Sequence, residues 1–200
     1  MESIYNNWPK STGLVSMILF AILFIWLFID PYLNIYIWFF WLHLPILMVH
    51  QFEEYIFPGG FQNIVNIEFF KTSNPNFPLS NRLAFILNVG LWVLFIIAVI
   101  VEFNAVWLPL ITLIFNLGNG LGHGIFAPLK QRCYNPGFFS GLFLIIPFTT
   151  LFLLNLIIEN LVSVNDIIIS LIIGTLLGVT FPLAIGGNYL KNKEKLIYSQ

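Results

Sequence analysis

A handful of polar side chains, set in two very apolar segments, have the types and spacing to do chemistry. His50, Glu53 and Glu54 fall within one His-Gln-Phe-Glu-Glu stretch. Residues three and four apart on an α-helix lie about 5–6 Å from each other on one face. This stretch therefore presents an imidazole and two carboxylates together. Further along, Asn116, Asn119 and His123 fall at i, i+3 and i+7, again on one face. Two imidazoles and an acid are the donor set of a divalent metal. Zinc takes His nitrogen and carboxylate oxygen and keeps one position open when it is catalytic. Iron also accepts two His and one carboxylate. The expectation is a divalent metal, zinc ahead of iron, held by His50, His123 and one glutamate. Glu54 sits about 40° from His50 around the helix, against about 60° for Glu53, which is too small a difference to assign them. Both stand as catalytic candidates, Glu54 as the better-aligned ligand and the remaining acid as general base on a water held by the metal. Asn88, Asn116 and Asn119 are expected to orient a polar headgroup or a water beside the metal. His43 lies two turns, about 10 Å, from His50. That is too far for the same mononuclear site, and it reads as a hydrogen-bonded core histidine.

What positions these groups must be a lipid-embedded helix bundle. Of 200 residues, 58% are hydrophobic and only 8% charged, with mean hydropathy +0.89. A soluble domain needs roughly a quarter of its residues charged to cover its surface. Six segments approach the roughly 20 apolar residues a spanning helix requires: near 13–29, 34–57, 81–101, 105–129, 137–158 and 166–187. Breaker clusters separate them, including Asp30-Pro31, Pro58-Gly59-Gly60, Glu102-Phe103-Asn104 and Asn135-Pro136-Gly137. The fold expected is all-α: a single transmembrane domain, a six-helix bundle over 1–200. Lys10 before an apolar run resembles a signal peptide, but Phe28-Ile29-Asp30-Pro31 offers no small-residue cleavage site. Between the second and third spans, Phe61, Ile64, Val65 and Phe69 recur at helical spacing among Gln62, Asn63, Asn66 and Glu68. This predicts a short interfacial helix; an irregular loop packed on the bundle is the alternative.

All eight Lys and Arg fall on one side of such a bundle: Lys10, Lys71, Arg82, Lys130, Arg132, Lys191, Lys193 and Lys195. Positive residues stay cytoplasmic, so both termini are expected in the cytoplasm, most simply at the cell membrane. The second and fourth helices then run the same way. His50 is 16 residues after Asn34 and His123 is 18 after Ala105, so both lie about 24–27 Å down from the outer end. Asn88, seven residues into the oppositely running third helix, reaches a similar level. The glycines Gly118, Gly120, Gly122 and Gly124 around Asn119 and His123 allow close helix packing or a locally irregular stretch lining a cavity. A charge at the bilayer centre costs on the order of 3 kcal/mol even on the lenient scale, which weighs for function in this cluster. The competing reading has Glu53 and Glu54 hydrated near Pro58 or paired with Lys71, Arg82, Lys130 or Arg132.

The stretch His50-Gln51-Phe52-Glu53-Glu54-Tyr55, followed by Pro58-Gly59-Gly60-Phe61, resembles the HXXEE-motif family of bacterial membrane proteins. The run Asn116 to His123 is similar to that family's second polar block. The resemblance implies membrane location and a shared polar site, and no particular reaction. Three classes of function fit: a metal-dependent hydrolase or related enzyme acting on a lipid-like substrate, a small proton-coupled carrier using the same His and Glu residues, and a non-catalytic accessory protein. Nothing in the chain points to nucleotide, haem, flavin or nucleic acid. Membrane lipid is the expected partner, and the oligomeric state is open. The lone Cys133 reads as an apolar filler.

Overall fold

A computed structural model describes residues 2–101, 105–132 and 134–197. The joint Glu102-Phe103-Asn104 and Cys133 lie outside these described residues. The fold is all-helical. Among the described residues six helices are long and apolar enough to cross a membrane: α1 (Glu2–Ile29), α2 (Ile35–Tyr55), α4 (Asn81–Val101), α5 (Trp107–Lys130), α6 (Phe138–Ile158) and α7 (Val164–Ile197, of which Val164–Asn192 qualifies). Between α2 and α4 lies the short α3 (61–69).

Local chemistry sets the helix ends. Asn34 caps α2 by accepting the Tyr36 N–H at 3.0 Å. At α7, the Ser163 N–H donates to Asp166 (2.9 Å) and the Asp166 N–H to the Ser163 hydroxyl (3.2 Å), a reciprocal capping pair. Two helices outrun the apolar segments that announced them. α1 begins at Glu2 because Trp8 is buried against Tyr55 and Trp92, so packing carries the helix through its polar turn. α7 runs on to Ile197, past the apolar stretch, with Asn188 donating to the Pro78 carbonyl at 2.6 Å.

α2 is the central helix. In its membrane window 61% of residues are buried, against 11% in α7. Polar groups on α2 therefore face protein, where they can be satisfied, and not lipid. α1 lies along it, close enough that a Cβ on Gly13 would sit 2.8 Å from the Phe52 ring. The Trp38 indole donates to Leu23 O at 2.7 Å. Phe40, Leu110, Leu113, Phe152 and Leu156 seal one end of the bundle, and Trp8, Leu79, Ala84 and Ile185 the other.

The segment after α2 is helical, as the spacing predicts, and it is packed on the bundle. Asn63 and Glu68 on its polar face are exposed, but Asn66 on the same face is not. Asn66 is fully buried and donates to Pro75 O (2.6 Å) and Leu79 O (3.0 Å) while accepting the Leu79 N–H (2.7 Å). It pins the loop that follows to the helix. Phe61, Ile64, Val65 and Phe69 line a cavity open on one side.

Candidate metal centre

The α2 motif and the α5 block meet. The rings of His50 and His123 have centroids 5.0 Å apart, nearly perpendicular at 86°. Glu54 lies between them: its Oε1 is 3.2 Å from His123 Nε2 and 3.6 Å from His50 Nε2. The ligand atoms of these three residues all fall within 4.8 Å of one another. Two ligands at zinc bond lengths in a tetrahedron are about 3.3 Å apart, which the two measured separations bracket.

The hydrogen bonds behind the rings decide where their protons sit. His123 Nδ1 faces two oxygens, Asn135 Oδ1 (2.9 Å) and the Pro136 carbonyl (2.8 Å). A carbonyl can only accept, so Nδ1 carries a hydrogen, and in the neutral ring Nε2 is then a lone pair. His50 Nδ1 lies 2.8 Å from Ser140 Oγ, and that hydroxyl donates to Glu53 Oε2 at 2.5 Å. With its one hydrogen given to Glu53, Ser140 must accept from His50, which leaves His50 Nε2 bare as well. That atom is buried and has no hydrogen-bond partner among the described residues. Two nitrogen lone pairs and a carboxylate oxygen thus converge. A proton on one nitrogen would relieve one contact and leave the other, whereas a single cation satisfies all three. Holding each ligating His by its other nitrogen is how proteins orient metal ligands. The group could hold a divalent ion.

The helices deform to make this meeting. At 122–126, around His123, and again at 141–145, just past Ser140, the ladder widens to i→i+5, as is frequent at functional sites. The two widened turns touch backbone to backbone. A Cβ on Gly124 would lie 2.8 Å from Leu142 N. At the start of α6, Gly137 has φ +91°, and a Cβ there would lie 2.6 Å from His50 Cε1 and 3.0 Å from His123 Nδ1. Only glycine fits in both conformation and space.

A model of a protein family of unknown function, described by its HXXEE motif, matches residues 41–152, more than half of the chain. The chain belongs to the HXXEE family. No curated protein and no solved structure matches it significantly. The motif's first and last residues, His50 and Glu54, are the converging ones. Its first acid, Glu53, points elsewhere and accepts four hydrogen bonds from the described residues. The donors are Tyr134 OH (2.8 Å), Phe139 N (2.9 Å), Ser140 N (2.7 Å) and Ser140 Oγ. Two of these are backbone N–H groups of the first turn of α6, which has no helical partners for them. Partial burial and the Glu53 carboxylate push the Tyr134 phenol above its ordinary range, so it remains a donor. Among the described residues neither glutamate pairs with Lys71, Arg82, Lys130 or Arg132.

The other residues singled out in the HXXEE sequence fall into separate places. Asn88 and Asn119 line the cavity onto which Glu54 and His123 open. Asn116 does not; it is fully buried, and neither atom of its amide has a partner among the described residues. His43 stays apart, with Nδ1 3.2 Å from Phe39 O and Nε2 3.4 Å from Thr149 Oγ1. Sequence reasoning missed Ser140, Tyr134, Asn135 and the Pro136 carbonyl. They lie on the α5–α6 turn and the first turn of α6, where Asn135-Pro136-Gly137 announces a bend but not what the bend embraces.

Proposed function

We propose that this protein is a membrane-embedded metal-dependent enzyme acting on a lipid-like substrate, hydrolysis being its simplest reaction. His50, His123 and Glu54 would hold a divalent ion, zinc ahead of iron. Such an ion, when bound, supplies Lewis acidity and lowers the pKa of a water. The observation that carries the reading is the convergence of His50 Nε2 and His123 Nε2 on one carboxylate oxygen of Glu54. The chain's own groups then have distinct parts. Glu54, the motif carboxylate that lines the cavity, would hold the ion through one oxygen and accept the proton of a water drawn there with its other. Glu53 positions: through Ser140 it fixes the His50 tautomer, and through the α6 backbone it fixes the turn that holds His123. The role of general base, open between the two acids in the sequence, passes in this reading to Glu54. Asn119 faces the same space and would orient the substrate's polar head, whereas Asn116 has no part in it. The eight basic residues support a cytoplasmic placement of both termini and a site toward the cytoplasmic leaflet of the cell membrane.

Elemental analysis of detergent-purified protein tests the reading. Wild type is expected to hold about one divalent ion per chain, and His50→Ala and His123→Ala to lose it. In lipid vesicles, metal-dependent release of product from the constituent lipids should disappear in Glu54→Gln. Wild-type protein free of metal would end the enzyme reading.

A further inference from the structure

The cavity beside the metal centre holds about 720 Å³, inside the 300–1,000 Å³ range of small-molecule sites. Its shape follows from the helices that wall it. Along α5 its lining runs from Ala127 past His123 to Ile114, and the part beyond the metal centre, His123 to Ile114, is nine steps or about 13 Å. Along α7 it runs from Ile185 to Gly174, eleven steps or about 16 Å. Half of a hydrocarbon core of about 30 Å is about 15 Å, the reach of one leaflet's chains. The walls are almost wholly apolar beyond the head end. Gly118 and Gly178 line the cavity, and a Cβ at either would meet nothing within 4 Å, so empty space lies directly against bare backbone on two helices.

At the head end a chain of hydrogen bonds aims one donor. The Trp92 indole N–H can only donate, and it does so to Gln51 Oε1 at 2.6 Å. That fixes the Gln51 amide, whose nitrogen donates to Asn88 Oδ1 at 2.9 Å. Asn88 in turn gives its two hydrogens to Ala84 O (2.8 Å) and to the Tyr55 oxygen (3.3 Å). A donor-only group at one end and an acceptor-only carbonyl at the other leave no alternative direction. The Tyr55 oxygen is therefore an acceptor, and its own hydrogen has no acceptor among the described residues. Tyr55 lines the cavity beside Glu54. Asn88, expected from the sequence to orient a headgroup or a water beside the metal, lines the cavity and gives its amide hydrogens to Ala84 O and the Tyr55 oxygen.

We propose that this cavity seats one acyl chain of a lipid drawn from the adjoining leaflet, with an ester or acid oxygen of that lipid hydrogen-bonded by the Tyr55 hydroxyl. The inference rests on the lipid-like substrate proposed above and names its class. Purified wild-type and variant proteins are titrated with a long-chain polyene fatty acid that fluoresces in apolar surroundings, and metal content is read on the same preparations. Wild type should bind saturably at about one probe per chain, and lipid extracts of the purified protein should contain about one chain-bearing lipid per chain. Tyr55→Phe should weaken binding about five- to tenfold, the loss of one hydrogen bond. Gly118→Leu and Gly178→Leu, on different helices and better helix formers than glycine, should exclude long chains while short-chain competitors still bind. Absence of saturable binding, or leucine variants with unaltered chain-length preference, would overturn the chain seat. Tyr55→Phe within twofold of wild type would overturn the hydroxyl's part. Metal-free protein that still binds the probe would sink the enzyme reading alone, and metal-loaded protein that does not bind it would sink this inference alone.

Discussion

Ser140→Ala isolates the support of the candidate metal centre from the candidate ligands themselves. The Ser140 hydroxyl touches no proposed ligand atom. It accepts from His50 Nδ1 at 2.8 Å and donates to Glu53 Oε2. Removing it leaves Glu53 three donors, Tyr134 and the Phe139 and Ser140 N–H groups, so α6 stays anchored. His50 fares differently. Its ring is fully buried, and a buried donor left without an acceptor costs about 1–3 kcal/mol. The ring can recover only by turning or by moving its hydrogen to Nε2, and either takes the lone pair away from Glu54. Loss of such a supporting partner typically weakens metal affinity about 10–100-fold, or about 1.4–2.7 kcal/mol. The assay is competition between the protein and a chromophoric chelator for zinc in detergent. Ser140→Cys, which keeps a weak acceptor, should fall between alanine and wild type. If Ser140→Ala binds zinc within twofold of wild type while folding normally, the tautomer argument is wrong.

Gly137→Ala should lose metal and stability together. The new methyl would enter the 2.6 Å gap to His50 Cε1 at φ +91°, costing about 1–3 kcal/mol from overpacking and about 1–2 from the left-handed backbone, read as a lowered thermal midpoint. Chelation of wild type should lower its midpoint too, because an ion at 100 times its Kd adds about 2.7 kcal/mol; the His50→Ala variant should show no such response. Asn66→Ala, which touches none of the ligands, should cost about 2–4 kcal/mol by stranding the Leu79 N–H and the Pro75 carbonyl, while the Leu79 carbonyl keeps Gln62 as donor and metal content stays intact. Asn116→Leu should bind metal as wild type does and unfold no earlier, since it replaces a buried amide without partners by an apolar group of similar size.

How much of this could be read beforehand depended on the length scale of the signal. The spans were legible because twenty apolar residues in a row carry one meaning in a chain so poor in charge. The approach of His50 and His123 was legible too, since two helices running the same way put equal residue counts at equal depth. Ends set by packing were not. Nothing in Glu2–Lys10 looks like membrane, yet Trp8 is held between Tyr55 and Trp92 and carries α1 outward. Asn66 sat on the polar side of an amphipathic pattern, and its burial depends on carbonyls nine and thirteen residues away. The separation of Glu53 from Glu54 was likewise hidden. A 100° step around α2 decides between them only once the position of α6 is known. Ser140 carried no signal at all, because a lone serine at a helix start is a common feature.

Two adjacent acids in a five-residue signature look redundant, and the bundle makes them unequal. Glu53 receives backbone N–H groups from a helix about ninety residues away, so it is a joint between distant parts of the chain. Glu54 faces the cavity. Substitutions at the first would then surface as failed assembly and low yield, and at the second as well-formed protein that does nothing. A survey of variants scored only by abundance would see half the signature.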